Sequence, residues 1–434
     1  MKPSFTDALK FWLKLGFISF GGPAGQVAIM HEYLVDKKKW ISESRFMHAL
    51  NYCMILPGPE AQQLATYIGW LMHGTRGGLV AGILFVLPSM LILLGLSAVY
   101  VSFGNLPWIA ALFNGLKPAV IAIVVVALLK IGKRSLLSVF HYGVALVAFV
   151  LIFFFNVPFP LIIIGAIGVA AVMRKYLPQL FATGSKAVQT SENNELEFYI
   201  NNTTRLEDVG FNPLRFWNKV MVSAVLWLLP IVLFYFLLTD FAFWSKLSVF
   251  FTQAAFVTFG GAYAVLPYVA QVSVEKFQWL SSLQMIDGLA LGETTPGPLI
   301  MILAFVGFMA GYNHFEQSIA MGALGLVTTT FYTFLPCFLF IFAGAPIIER
   351  TQENKSIKNI LSIVTAAVVG VVLNLTIYLS VAVIFPNGFA LNQLNLFPIV
   401  WTLASFIALY RFHINMIIWI GVSALAGLVV YYFG

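Results

Sequence analysis

The sequence predicts an all-α polytopic membrane protein built from two inverted-topology repeats with broken helices or helical hairpins. Three observations predict it: composition, an internal duplication, and the placement of basic residues. The 434 residues are 60% apolar and 9% charged, with a mean hydropathy of +0.91, whereas soluble domains carry roughly 25% charged residues. Charge-free runs cover residues 77–116, 135–173, 220–239, 317–348 and 359–410. Each reaches or exceeds the length of about 20 residues that a helical span requires. The runs do not alternate strictly, which argues against an outer-membrane barrel.

The duplication is read from three matched words. Phe20-Gly21-Gly22 returns as Phe259-Gly260-Gly261, Trp40-Ile41-Ser42 as Trp279-Leu280-Ser281, and Pro57-Gly58-Pro59 as Pro296-Gly297-Pro298, each 239 residues later. Beyond a single register change the offset becomes 248, matching Leu87-Pro88 to Leu335-Pro336 and Lys117 to Thr365. The halves are therefore residues 1–175 and 244–434. Residues 176–243 supply a polar connector and one linking transmembrane helix.

Topology follows from the basic residues. The segments 5–20, 23–34, 45–56 and 59–73 are each short for a span, so they pair into hairpins or broken helices that return to their starting side. Spans near 77–103, 107–131, 135–156 and 158–174 follow. One near 217–239 then flips the chain, and hairpins at 246–274 and 283–312 enter from the opposite side. Spans near 318–345, 357–384, 394–411 and 413–433 complete the chain. Of the 24 Lys and Arg residues, 21 then lie on one side, Lys246 and Lys276 on the other, and Lys117 inside a span. The basic side is expected to be cytoplasmic, with the N-terminus on it, in a multi-pass protein of the bacterial inner (plasma) membrane. Inverted repeats with interrupted helices are a transporter architecture, with the solute near the pseudo-twofold axis.

The interruptions are the first candidate site. Glycines allow the sharp turn in Phe20-Gly21-Gly22, and Pro23 suits the first position of a new helix; Ala262 takes its place after Gly260 and Gly261. Pro57-Gly58-Pro59 and Pro296-Gly297-Pro298 end one half-helix and begin another. Helix starts present unpaired N–H groups and about half a positive charge, which favours an anion. Four such starts either cradle one negatively charged solute or serve as tight bends for close packing. Gln62 and Gln63 either donate to an oxyanion or bond a neighbouring helix.

Lys117, costly inside a span, marks an anion-binding or gating position unless it reaches an interface. Glu60 and Glu293 flank the two Pro-Gly-Pro turns without being repeat equivalents. Each is a candidate proton-coupling group, and Glu60 alternatively caps helix amides. His48 and Asp287 are exact equivalents near hairpin ends, where water or headgroup contact is the expected role. Lys10 and Lys14 share a helix face, either drawing anions to a vestibule or anchoring the interface.

Other classes of function lose support. Basic residues scattered through short loops do not suggest nucleic acid. Cys53 and Cys337 lie in apolar segments and form no disulfide framework. Residues 1–20 lack a cleavage site after an apolar core, so no removable signal peptide is expected. No phosphate-loop, His-Glu-x-x-His or G-x-S-x-G signature is present, so an enzyme, metal site or cofactor is not expected.

The stretches FGGPAGQVAIMHEYLVDKKKWIS and LPGPEAQQLATYIGWLMHGTRGGLVAGILFVLP resemble the chromate ion transporter family. FGGAYAVLPYVAQ and DGLALGETTPGPLI resemble the second half of its long, two-domain members. The resemblance implies a carrier that expels chromate and confers resistance, with sulfate as a competing tetrahedral dianion. It maps the family's motif onto Gly21, Gly22, Pro23, Pro57 to Pro59, Lys117, and Pro296 to Pro298. The expected partners are an oxyanion (chromate or sulfate) and the lipid bilayer, with a homodimer left open.

Overall fold

The computed structural model describes residues 3–20, 22–104, 106–176, 197–201, 212–348, 355–385 and 395–433. Gly21 and most of the connector lie outside the described residues. The first half runs α1 (Phe5–Ile18), α2 (Gly22–His31), a π-helical turn (Glu32–Lys37), α3 (Glu43–Cys53), α4 (Glu60–Phe103), α5 (Pro107–Ser135), α6 (Val139–Phe155) and α7 (Phe159–Tyr176). After α8 (Pro213–Leu237) the same order returns. It comprises α9 (Phe241–Phe256), α10 (Ala262–Ala270), a π-helical turn (Gln271–Lys276), α11 (Ser282–Thr294) and a 3-10 turn (Leu299–Met301) leading into α12 (Ile302–His314). The second half ends with α13 (Ile319–Ile348), α14 (Lys355–Ile384), α15 (Leu396–Tyr410) and α16 (Met416–Phe433). Among the described residues there is no strand. An isolated bridge, Ile41 with Ile200, ties the connector's visible segment to the first hairpin tip.

Six helices are long and apolar enough to cross a membrane, and α6, α7, α12 and α15 are shorter apolar helices. The expected hairpins are pairs of short helices. α4 combines the segment expected at 59–73 with the span expected at 77–103. It bends where His73 and Gly74 leave helical geometry, and Gly74 has a φ of +63°. The bend separates a short helix from a spanning one, as the break between α12 and α13 does in the second half.

Local chemistry repeats with the sequence. The π-helical turns at Glu32–Lys37 and Gln271–Lys276 are displaced by the same 239 residues as the motifs. Lys39 and Gln278, also equivalent, both take positive φ, at 51° and 54°. The hydroxyl of Ser42 caps α3 by accepting from the Arg45 N–H, and Ser281 caps α11 by accepting from Gln284. Neither π-helical turn was expected, because a one-residue insertion into a helix leaves no mark in apolar periodicity.

Packing follows a twofold pattern. α5 packs on α14, α15 and α16, while its equivalent α14 packs on α5, α6 and α7. Such self-complementary contacts are what a twofold relation generates. With the shorter apolar helices α6 and α7 counted as crossings beside the spanning part of α4, α5 and α8, five separate the equivalent helices α1 and α9. An odd number inverts the second half in the membrane. α8 lies at the periphery against α9 and α13, with Phe234 as its buried residue.

The halves are not equally buried. α2 buries Gln26 and Met30, whereas its equivalent α10 buries Ala262 and every residue from Ala264 to Ala270. α3 buries Phe46, Ala49, Tyr52 and Cys53, whereas α11 buries every residue from Met285 to Glu293. The first-half hairpins are thus the more open ones.

Candidate functional site

The four breaks meet across the pseudo-twofold. The N–H of Gly58 donates to the carbonyl of Thr258 at 2.7 Å, and the N–H of Gly297 donates to the carbonyl of Ser19 at 2.8 Å. Thr258 and Ser19 immediately precede the two Phe-Gly-Gly words and are themselves 239 residues apart. Each Pro-Gly-Pro turn therefore completes the broken helix of the opposite half. Sequence explains why glycine stands there. Gly58 has φ +121° and Gly297 φ +99°, a region that side-chain-bearing residues rarely enter. A Cβ on Gly58 would stand 2.8 Å from Cys337 Sγ, and one on Gly297 would stand 2.7 Å from Ser89 Cβ. Ser89 and Cys337 are again equivalents, at the offset of 248.

The helix starts at these breaks have no side-chain caps. None is present at Pro59, Gly261 or Pro298, while Ser4, Ser42, Asn212, Asp240, Ser281 and Asn395 cap their helices. The α5 and α6 starts are also uncapped, so what sets these three apart is their place where the two halves exchange backbone bonds. Gly22, Pro23, Pro57 and Glu60 are half-buried, Gly260 is half-buried, and Gly58, Pro59, Gly261 and Pro296 to Pro298 are buried.

The polar side chains around the breaks divide into two kinds. Gln63 Nε2 donates to the Pro57 carbonyl at 2.7 Å, and Gln62 Nε2 donates to Thr66 Oγ1 at 3.1 Å. Both glutamines are buried with Oε1 atoms that find no hydrogen-bond partner. Gln26, which sequence reasoning passed over, donates from Nε2 to the Gly297 carbonyl at 2.6 Å. A glutamine in the apolar α2 was the available signal. Glu293 is buried and accepts from Tyr263 Oη at 2.6 Å, tying the end of α11 to the start of α10. Glu60 opens α4, and Arg134 on α5 is the basic group whose field reaches it.

Lys117 lies elsewhere. It lines a cavity of about 380 Å³, to which none of the break residues contributes, with Tyr100, Asn114, Gln284, Asp287, Tyr312, Asn313 and Gln317 among its walls. Its Nζ stands 3.6 Å from Asp287 Oδ1 and donates to Asn114 Oδ1 at 3.2 Å. Tyr100 Oη donates to Asp287 Oδ2 at 2.9 Å. Asp287 is only 5% exposed, so water or headgroup contact does not describe it. The cavity wall includes Gly104, after α4, and Gln317, before α13. It therefore sits at the end of the bundle opposite the basic side. Asp287 was misjudged because its place near the start of α11 suggested a surface position. Tyr100 of α4 and Lys117 of α5 stand against it.

Cys53 and Cys337 are free and buried. Among the described residues no group of His, Cys, Asp and Glu could hold a metal ion.

Fold and breaks together define a polytopic α-helical membrane transporter of the inverted-repeat kind. The chain belongs to the chromate transporter family, whose model matches residues 6–172 and 245–428. It is 30% identical over 377 residues to the chromate transport protein of Pseudomonas aeruginosa, covering 85% of this chain and 79% of that one. It is 28% identical over 384 residues to the chromate transport protein of Cupriavidus metallidurans, covering 87% and 84%. An uncharacterized transporter of Methanocaldococcus jannaschii is 26% identical over 425 residues, covering 98% and 94%. No solved structure matches the chain significantly.

Proposed function

We propose that the protein exports chromate from the cytoplasm by alternating access between its two inverted halves, and thereby confers chromate resistance. The observation that carries this reading is the reciprocal pair of bonds from Gly58 to Thr258 and from Gly297 to Ser19. It gathers four helix interruptions at one axis, where opposed helix starts favour an anion. The proposed oxyanion contacts are the backbone and neighbours of Gly21, Gly22, Pro23, Pro57 to Pro59, Gly260, Gly261 and Pro296 to Pro298. Gln62 and Gln63 reach the anion by turning their amides. Relatives named as chromate transport proteins support the choice of oxyanion.

Direction is supported by energetics. One charge crossing the membrane potential is worth about 2.3 kcal/mol per 100 mV, so a dianion leaving a negative interior gains about 4.6 kcal/mol per 100 mV. Export therefore runs on potential alone, and protons passing through Glu60 or Glu293 add to it. With the basic side cytoplasmic, the less buried first-half hairpins face the cytoplasm. Everted vesicles holding the protein should accumulate radiolabelled chromate when energised interior-positive. Absence of accumulation with folded protein in the membrane would refute export. Unlabelled sulfate added in the same assay measures how far the site accepts other tetrahedral dianions.

A further inference from the structure

The cavity around Lys117 and Asp287 is a polar chamber at the end of the molecule opposite the basic side. Its wall carries four carboxamide side chains (Asn114, Gln284, Asn313 and Gln317) and the ring of Tyr312. Lys117 comes from α5 of the first half and Asp287 from α11 of the second, so the pair spans the two repeats. The side chains are 14% and 7% exposed. A buried ion pair stabilises only when its geometry is good and its remaining donors and acceptors are satisfied. Here they are not. The ammonium is 3.6 Å from Asp287 Oδ1, beyond a normal hydrogen bond. Oδ1 itself is buried without a hydrogen-bond partner. One ammonium proton is engaged, on Asn114, out of the three that lysine offers.

We propose that this cavity is an oxyanion exit site in which the Asp287 carboxylate and the departing anion compete for the Lys117 ammonium. A proton on Asp287 then admits the anion, and its loss expels it. The charges make this the simplest arrangement. With Asp287 ionised the pair is neutral and offers an anion little. With Asp287 protonated, Lys117 becomes an uncompensated cation among amide donors in a partly dehydrated chamber, where its attraction is strengthened. A cation at Oδ1 would instead face the Lys117 ammonium at close range. The ionisable groups facing Asp287 are Lys117 on α5 and Tyr100 on α4, with Tyr312 of α12 in the same cavity wall. Tyr378 of α14 is engaged with Ser282, the 3-10 turn at Leu299–Met301 has no ionisable residue, and α16 carries only Tyr431 and Tyr432, both exposed. Among the described residues Glu60, at the other end of α4, is the further carboxyl on these elements, and Asp287 alone of the acids lines the cavity.

The inference rests on the transport reading for its direction and on the cavity alone for its chemistry. The test is equilibrium binding of radiolabelled sulfate to the purified full-length protein at about pH 5 and about pH 8, a range in which a carboxyl with perturbed surroundings titrates. Sulfate is chosen because it stays a dianion across this range, whereas chromate takes up a proton. Wild type should bind roughly tenfold more tightly at the lower pH, the ratio that about one interaction of ordinary strength provides. Asp287→Asn should bind at both pH values with the affinity that wild type shows in acid. Tyr100→Phe removes a donor to the carboxylate and should shift the fall in binding to higher pH, and it serves if Asp287→Asn does not fold. A pH profile unchanged in both variants, or no sulfate binding at either pH, would overturn the proposal. Failed chromate export with pH-linked sulfate binding intact would overturn the export reading alone. Intact export with a flat sulfate profile would overturn this one.

Discussion

A methyl group added at Gly58 tests the twofold joint directly. Two penalties are written into the structure. The φ of +121° is one that an L-residue holds only at a strain of about 1–3 kcal/mol. The new Cβ would also stand 2.8 Å from Cys337 Sγ and 2.8 Å from Gln63 Nε2. The amide of Gln63 can swing away at the loss of its bond to Pro57, but the sulfur is fixed on a packed helix, and such overpacking costs about 1–3 kcal/mol. The sum, about 2–6 kcal/mol, is large beside a total stability of about 5–15 kcal/mol. Gly58→Ala should therefore lower the melting temperature of the detergent-purified protein clearly and reduce chromate uptake by everted vesicles. Cys337→Ala removes the obstructing atom, so the double variant should recover the steric part and keep the strain. A double-mutant cycle isolates that coupling. Gly58→Ala with the stability of wild type would refute the geometry of the turn. A double variant no better than the sum of its singles would refute the contact with Cys337.

Three further outcomes are expected. Lys117→Ala strands Asp287 in a buried site, a change that typically costs about 3–5 kcal/mol; it should abolish transport, and adding Asp287→Asn should recover thermal stability without transport. Glu293→Gln keeps an acceptor for Tyr263 but cannot exchange a proton, and Glu60→Gln does the same at the first turn; proton dependence of chromate flux that is unchanged in both would remove these carboxyls from coupling. Asp240, in the α8–α9 turn, is held below the usual carboxylate range by its hydrogen bond with His314 and by the Phe243 N–H. Its stabilising contribution is present above the ordinary carboxyl pKa of about 3.9 and is lost as pH falls through the depressed folded value. Asp240→Asn should thus be less stable than wild type near neutrality, and the gap in melting temperature should close in acid.

The frame of the molecule was legible because hydropathy, proline and glycine act locally. Charge-free runs marked the spans, and Pro-Gly-Pro and Phe-Gly-Gly marked where helices stop and restart. The contacts that join these pieces depend on which element lies beside which. Gly58 and Thr258 are 200 residues apart, and only their shared repeat offset hinted that they belong to one joint. Lys117 was recognised as unusual from its span, but its partner was not. Asp287 looked peripheral along α11, and its partners Tyr100 and Lys117 come from helices of the other half. The bend at His73 and Gly74 was similarly hidden, since a short helix running into a long one reads as two segments with a gap.

The exchanged bonds at the axis carry one consequence for the duplication itself. A membrane interior offers no water to an open backbone group, and each such group costs several kcal/mol. The N–H of Gly58 and the carbonyl of Ser19 both belong to the first half, yet Gly58 finds its acceptor in the second and Ser19 takes its shorter bond from there, with a longer one of 3.4 Å from Gln26 of its own half. Neither copy is thus self-sufficient: severed from the other, the first would leave the Gly58 N–H without its acceptor and the Ser19 carbonyl with only the longer bond from Gln26. The two copies form a single closed circuit of backbone bonds, so displacement of one turn is felt at the other without any side chain relaying it.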